Sequence, residues 1–571
     1  MMTEFYQEDY RIRSVRIGEQ SSLPGLEGLA NVQQNTKAVL DEDDEIFLGY
    51  GFRSNVFPYR PQDVYTREQT ERCYRSIVLE NEFLRARFLP ELGGRLISLT
   101  DKASGRDLLY QNKTLYAGNL AMRNSWFSGG VEWNASIIGH NPFTCSPLFA
   151  ARTQLADGTP VLRMYEYERL RGVSFQMDFF LPDGSRVLFA RMRLVNENAQ
   201  TVPTYWWSNI AVPEWRGGRV VVPADAAYVA RDGVIFKDSV PVDRGGDDVT
   251  YPVNNPKAVD HFWKIAPERR KYIAHLNADG WGLVQASTHR QRGRKLFVWG
   301  QTRGSARWQE FLSGNPHDRY IEIQAGLAQT QYECLPMPPH TAWEWLEAYG
   351  AMNAGPAQIH GAWHGAQAAV ENLLLSISQK QLECHIVCRG STAPYDAQFR
   401  QYCSYEDVLA LMTYLRDLFK TRAAAKKEYA ASHTEAECEA YLRSAFPPVI
   451  VLFEDYNAFC AMSYSPGTRV SYTDVWETLL KNGRGYGVTF LAVWNRALYQ
   501  QNFQKQAVQL FLSYQTGVHL GGKLDAQRAI ETGLSITEQA RIRPPETGFA
   551  LEGTRLSEVY LPRTAAPAEE L

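Results

Sequence analysis

The sequence predicts a multidomain protein in which a large antiparallel β-sandwich is followed by a smaller α/β unit. Three observations carry this. The 571 residues exceed the roughly 250–300 at which a single core stops growing. From about Arg75 to Glu347, apolar residues recur with a period of two between Gly, Pro, Asn and Asp turns. Past Gly350 the pattern becomes short continuous apolar runs alternating with helical spacings. We therefore expect a β-containing lead-in over 1–70, the sandwich over 71–365 and the α/β unit over 366–571.

Within the sandwich, Val173, Phe175, Met177 and Phe179 alternate with Ser174, Gln176 and Asp178, which puts the apolar residues on one sheet face. Pro182-Asp183-Gly184-Ser185 supplies turn chemistry, and Leu188, Ala190, Met192 and Leu194 complete a hairpin. Similar runs lie at Leu79–Leu89, Arg95–Thr100, Arg163–Leu170, Val220–Val222, Lys295–Trp299 and Tyr320–Gln324. Many short strands punctuated by turn residues are the grammar of a large sandwich.

In the last third, Ala351–His364 reads as a linker and Ala366–Ser378 as a helix. Leu382–Cys388 reads as a strand. Ser404-Tyr405-Glu406-Asp407 is a helix-capping start, followed by Val408, Leu411, Leu415 and Leu418 at helical spacing. Val449–Phe453 and Val488–Val493 are apolar runs of buried parallel-strand length. Tyr472–Leu480 and Phe503–Tyr514 are helical, and Val518–Leu520 is extended. Alternation of this kind indicates a parallel sheet flanked by helices.

Composition narrows the function classes. A formal net charge of -3 gives no global field favouring nucleic acid or an anionic membrane. No apolar run approaches the roughly 20 residues of a membrane-spanning helix, and Met1-Met2-Thr3-Glu4-Phe5 lacks the pattern of a signal peptide. The eight cysteines contain no Cys-x-x-Cys pair, so neither a disulfide framework nor a metal site is expected. The expected compartment is cytoplasmic. Cys384 and Cys388 alternate with apolar residues as buried thiols would. Eleven of the 14 tryptophans lie between Trp126 and Trp345. Aromatic rings fill cores, and exposed ones stack on the C–H faces of sugars.

A series of motifs carries a family resemblance. Leu79-Glu80-Asn81-Glu82-Phe83 is followed by Leu89-Pro90-Glu91-Leu92-Gly93-Gly94-Arg95-Leu96 and Ser98-Leu99-Thr100-Asp101-Lys102. Then come Trp126-Phe127-Ser128-Gly129-Gly130-Val131-Glu132-Trp133-Asn134, Asn141-Pro142-Phe143-Thr144 and Tyr205-Trp206-Trp207-Ser208-Asn209. Trp308-Gln309-Glu310-Phe311-Leu312 and Tyr320-Ile321-Glu322-Ile323-Gln324-Ala325-Gly326 close the series. Over about residues 45–365 this resembles galactose-mutarotase-like domains of an uncharacterised bacterial family often met ahead of tetratricopeptide repeats. The resemblance implies a β-supersandwich and affinity for sugar.

Chemistry on a sugar acetal uses two carboxyl groups, one protonated and one ionised. The candidates are Glu132, Glu322, Glu310 and Glu347, all in aromatic or Gly-rich surroundings. Burial beside tryptophan raises a carboxyl pKa, which makes Glu132, between Trp126 and Trp133, the first choice and Glu322 the second. The competing reading makes them structural carboxylates, bonded to backbone or paired with Arg123, Arg303 or Arg307. His140 is a candidate acid or hydroxyl partner, with a structural histidine as the competing reading. Asn134 is a candidate substrate-binding residue, and Trp126, Trp133, Trp207 and Trp308 are candidate stacking surfaces, some of which must be core. No cofactor is assigned.

The α/β part carries a second resemblance. Val449-Ile450-Val451-Leu452-Phe453-Glu454-Asp455 has the form of a Walker B strand. Lys481-Asn482-Gly483-Arg484-Gly485-Tyr486-Gly487 leads to Trp494-Asn495-Arg496, then Leu520-Gly521-Gly522-Lys523, Arg541, Arg543 and Pro544-Pro545. Over about 370–563 this is similar to the later part of an FtsK/SpoIIIE-like ATPase domain of P-loop, RecA-like type, as in the C-terminal modules of type VII secretion ATPases. It implies a Walker-B-like Glu454-Asp455, a turn arginine at Arg484 and a sensor-like Asn495. Yet no Gly-x-x-x-x-Gly-Lys-[Ser/Thr] occurs, so the chain alone is expected not to hydrolyse ATP.

Three functions follow as expectations. The first is a carbohydrate-binding or carbohydrate-processing protein, a glycoside hydrolase or epimerase-like enzyme on a hexose-containing substrate. The second is a non-catalytic sugar-binding module. The third is an ATP- or DNA-binding-like or secretion-associated pseudo-ATPase fusion whose residues 370–571 contact a partner ATPase.

Overall fold

The structure is a computed structural model that describes residues 2–25, 37–41, 44–155, 157–379, 383–387 and 400–430. Beyond those it describes 434, 438, 441–442, 446, 448–463, 473–493, 505–513, 516–522, 543–552 and 555–560. The chain forms two compact units, Met1–Leu375 and Ser376–Leu571.

In the first unit the period-two sequences form a 14-stranded and an 8-stranded sheet. The expected hairpin is Val173–Phe180 antiparallel to Val187–Asn196. Met177 faces Met192 and Phe179 faces Ala190 on the buried side, while Asp178 faces Arg191 on the outer side. The inner faces of the two sheets meet through aromatic contacts. Phe88 lies 4.6 Å from Phe179, Trp206 lies 5.2 Å from Trp345, and Trp133 meets Tyr349 edge-on at 6.2 Å. Each such side chain, fully buried, contributes about 1.5–3 kcal/mol.

The opening segment, expected as a lead-in, supplies the strand Glu4–Ser14, which pairs along its whole length with Thr70–Glu80 of the large sheet. Helix Trp363–Gln379 runs through the division expected at 365/366. The β pattern also hides one helix, Arg303–Ser313. Thr302 caps its first turn by accepting from the Ser305 N–H, and Gly314 ends it in the left-handed conformation.

In the second unit, Arg400–Tyr402, Glu383–Val387, Val449–Phe453 and Val488–Ala492 form a parallel sheet in that order. Ser404 and Asp407 make a reciprocal capping box at the start of helix Tyr405–Tyr429. Leu411, Leu415, Val449, Val451, Phe453 and Trp476 share one core. The extended segment at Val518–Leu520 belongs to strand Thr516–Gly522, which is antiparallel to Arg543–Glu552. Among the described residues no helix is long and apolar enough to cross a membrane.

Candidate functional site

Four neighbouring antiparallel strands of the large sheet carry a polar stripe: Val131–Ala135, Trp206–Pro213, Tyr320–Gly326 and Gly293–Val298. Residues directly opposite one another share a face. Glu132 lies opposite Asn209, Asn209 opposite Gln324, and Gln324 opposite Lys295. The next row holds Ala211, Glu322 and Phe297. Val131, Trp133, Ile210, Ile323 and Leu296 alternate with these and enter the core. One face of these strands therefore packs against the second sheet, and the other carries the charged and amide groups, with Ala211 and Phe297 beside them.

Glu132 is positioned by the turn before its strand. Gly130 has φ +68°, and a Cβ there would meet the Leu96 carbonyl oxygen at 2.5 Å, so only glycine permits this entry. Glu132 Oε2 accepts from Trp126 Nε1 at 3.1 Å and Asn134 Nδ2 at 3.2 Å, and lies 2.9 Å from His140 Nδ1. Oε1 accepts from Thr144 Oγ1 at 2.5 Å, and Arg95 Nη2 lies 3.8 Å away. Burial alone would raise this carboxyl. His140, Arg95 and the Thr144 hydroxyl outweigh it and hold the group well below the ordinary carboxylate range.

Glu322 has the opposite environment. Burial raises its carboxyl and the charge of Glu132 adds to that, against the pull of Lys295, His140 and Gln324; the net shift is upward. Gln324 Nε2 donates to Glu322 Oε2 at 2.7 Å, and Gln331 Nε2 donates to Gln324 Oε1 at 2.6 Å. Lys295 Nζ donates to Gln331 Oε1 at 2.6 Å and pairs with Asp260 Oδ1 at 2.7 Å. A connected polar chain thus runs from Asp260 to Glu322. Asn209 Oδ1, buried between Glu132 and Gln324, has no hydrogen-bond partner; it is an acceptor suited to a ligand hydroxyl.

Of the residues expected from sequence, Glu132, Glu322, His140, Asn134 and Trp126 come together here, Trp126 as a buried hydrogen-bond donor to Glu132 and not as the expected stacking surface. The roles expected of the two carboxyls change, because the first choice is held ionised and the second is the one whose environment favours the proton. Asn134 is a positioning residue: it donates to Glu132 and accepts from the Asn141 N–H at 2.8 Å. Glu347 lies elsewhere, wholly buried between the sheets. It accepts from Trp345, Ser208, Gln291, Tyr349 and Gln285, so its lone pairs serve the core. Glu310 is on the surface of helix Arg303–Ser313, 3.8 Å from Arg307. Trp133 is core and donates to the Gly94 carbonyl at 3.0 Å. Trp207 is fully buried against Gly326 and Gly293, where any Cβ would collide with its ring. Neither indole offers a free face. Trp308 does, at 47% exposure.

Asn209, Gln324, Lys295, Gln331, Asp260, Arg95 and Thr144 were not singled out from the sequence. Polar residues recurring at every second position inside an otherwise apolar strand point to Gln324, in Glu322-x-Gln324; the others stand singly among apolar neighbours or in turns.

In the second unit, Asp455 Oδ1 accepts from the Ala458 N–H at 3.1 Å, the bond of a residue that starts helix Tyr456–Ser463. The acids expected at a Walker B position therefore include one engaged in capping. Asn495, Lys523 and Arg541 lie outside the described residues.

A TPR-domain containing protein from Parabacteroides distasonis is 21% identical, with a TM-score of 0.50 over 61% of this chain and 55% of that one. This is a likeness of fold, and the chain spans about half the length of that protein. A galactose mutarotase-like protein from Clostridium acetobutylicum matches at 10% identity and TM-score 0.37, over 49% of this chain and 96% of its own. A galactose mutarotase related enzyme from Lactobacillus acidophilus matches at 8% and 0.33, over 49% and 97%. Residues 53–339, half of the chain, match the family described as "Domain of unknown function (DUF5107)", and the chain belongs to that family.

Proposed function

We propose that the Met1–Leu375 unit binds and processes a hexose-containing carbohydrate by general acid–base catalysis on the polar stripe. The observation that carries this reading is the opposed environment of two carboxyls on one sheet face: Glu132 is held ionised and Glu322 is pushed toward its protonated form. Paired titratable groups driven apart in this way are how acid and base roles are divided near neutral pH. Glu322 is the proton donor to an acetal or ring oxygen. His140, bonded through Nδ1 to Glu132, is the acceptor for a hydroxyl or water proton. Glu132 orients that ring and balances its charge when protonated. Asn209, Gln324 and Lys295 supply one acceptor and several donors for sugar hydroxyls. The reaction is then either exchange at an anomeric centre or cleavage of a glycosidic bond, since both need this pair.

The test incubates the full chain with a panel of aldohexoses and oligosaccharides, following anomer exchange by NMR and the appearance of reducing ends. Glu322→Gln and His140→Gln are each expected to lower kcat by about 10²–10⁴-fold with sugar affinity within about threefold. Affinity without turnover in the parent protein would instead make this a binding module. Absence of any sugar binding at millimolar concentration removes the proposal.

A further inference from the structure

Beyond Glu322 the stripe continues as aromatic rings that become progressively exposed. Phe297 lies opposite Glu322 on the neighbouring strand, and its ring meets Trp299 edge-on at 5.0 Å. Trp299 also meets the buried Tyr320, on the Glu322 strand, at 5.9 Å. Trp299 in turn stacks with Trp308, centroids 6.5 Å apart and planes 22° from parallel. Trp308 meets Phe311 edge-on at 5.8 Å. Exposure rises along this path from 0% at Tyr320 to 47% at Trp308 and 41% at Phe311.

The outer two rings belong to helix Arg303–Ser313, which joins the strand bearing Lys295 to the strand bearing Glu322. An amphipathic helix normally buries its aromatic side. This one buries Ser305, Gln309 and Leu312 and turns an indole outward. It is held by that inner side: Gln309 Oε1 accepts from the Tyr320 N–H at 2.9 Å. Arg67 secures its far end, with the guanidinium 4.1 Å above Phe311 and a bond to the Phe311 carbonyl at 2.6 Å. The helix is thus anchored to the site strand and presents a fixed aromatic surface continuous with the site. A broad, rigid aromatic ring at low conformational cost is the surface on which the C–H face of a pyranose ring packs.

We infer that Trp308, backed by Trp299 and Phe311, forms a second subsite that holds a further sugar residue of the same substrate. The protein then acts on oligosaccharide or polysaccharide chains rather than on free monosaccharide. This rests on the reading of the Glu322 site given above.

The experiment titrates the full chain with cello-, malto-, xylo- and chito-oligosaccharides of one to five units, by calorimetry and by tryptophan fluorescence. In the series that binds, affinity is expected to rise at least tenfold between one and three units. Trp308→Ala is expected to abolish that rise while leaving monosaccharide affinity within twofold. Trp308→Phe is expected to keep part of the rise. Affinity independent of chain length, or a Trp308→Ala protein that binds the trisaccharide as the parent does, overturns the second subsite while leaving the acid–base reading standing. Failure to bind any sugar overturns both.

Discussion

Replacing either stripe glutamate by glutamine alters one carboxyl on the same sheet face, yet the two changes are expected to differ widely in stability. Glu132 is the counter-charge of Arg95, which is itself 2% exposed. It also receives four side-chain hydrogen bonds or contacts, from Trp126, Asn134, His140 and Thr144. Breaking a buried pair by neutralising one partner costs about 3–5 kcal/mol. Arg95 keeps its bonds to the Phe127 and Gly129 carbonyls and to Thr144, which places Glu132→Gln near the lower end, at about 3 kcal/mol. At Glu322 burial disfavours the charged form, so little charge is there to lose. Its amide retains the oxygen that accepts from Gln324, so Glu322→Gln is expected to change stability by less than about 1 kcal/mol. Urea unfolding followed by tryptophan fluorescence reports mainly on this unit, which holds most of the indoles. The midpoint should fall for Glu132→Gln alone, with the slope unchanged. Because the folded Glu132 value lies below the unfolded one, its contribution is full above the ordinary carboxylate value of about 4.3 and is lost as pH falls below it. The gap between parent and Glu132→Gln should therefore narrow in acid. Equal midpoints at pH 7, or a larger loss for Glu322→Gln, would refute the assignment of charge states.

Other outcomes follow from the same geometry. Glu333 accepts from the Phe47 N–H at 2.7 Å and from the Thr330 N–H and hydroxyl, and burial pushes its carboxyl up to about 7. A raised folded value means stability is full below about pH 4.3 and falls as pH rises from there through 7, by about 4 kcal/mol in all. Urea midpoints at pH 5 and pH 8 should diverge in the parent and converge in Glu333→Gln. Lys295 pulls the Glu322 carboxyl down, so Lys295→Met should move the alkaline limb of a pH–kcat/KM profile to higher pH; an unmoved limb would separate Lys295 from the acid. Gly326→Ala drives a Cβ to 2.1 Å from the Trp207 ring and is expected to lower stability by about 1–3 kcal/mol, read as a lower thermal midpoint.

The β grammar of the first unit was legible because strand periodicity is local: the runs at Arg163–Leu170 and Tyr320–Gln324 lie within or overlap observed strands. The parallel sheet of the second unit was legible because Val449–Phe453 and Val488–Ala492 are short apolar runs that pair in parallel, although in the second Thr489 and Leu491 are exposed and only Val488 is buried. Helix Arg303–Ser313 was hidden because its signals are a single cap at Thr302 and a terminal Gly314 amid aromatic residues that also suit strands. Glu132 and Glu322 were named from their neighbours in the chain, but which of them stays charged could not be read there. That depends on Arg95, His140 and Thr144 arriving at one carboxylate, while the other gains less compensation than its burial demands. The same holds for the tryptophans: Trp207 and Trp308 stand in equally aromatic stretches, yet one is sealed over Gly326 and the other faces outward. Alternation along the chain sorts side chains to the two faces of each strand, because that follows from backbone geometry alone. Which strands lie side by side, and hence which charges meet, is a matter of long-range pairing, because Coulombic and desolvation energies depend on distances between residues far apart in the chain.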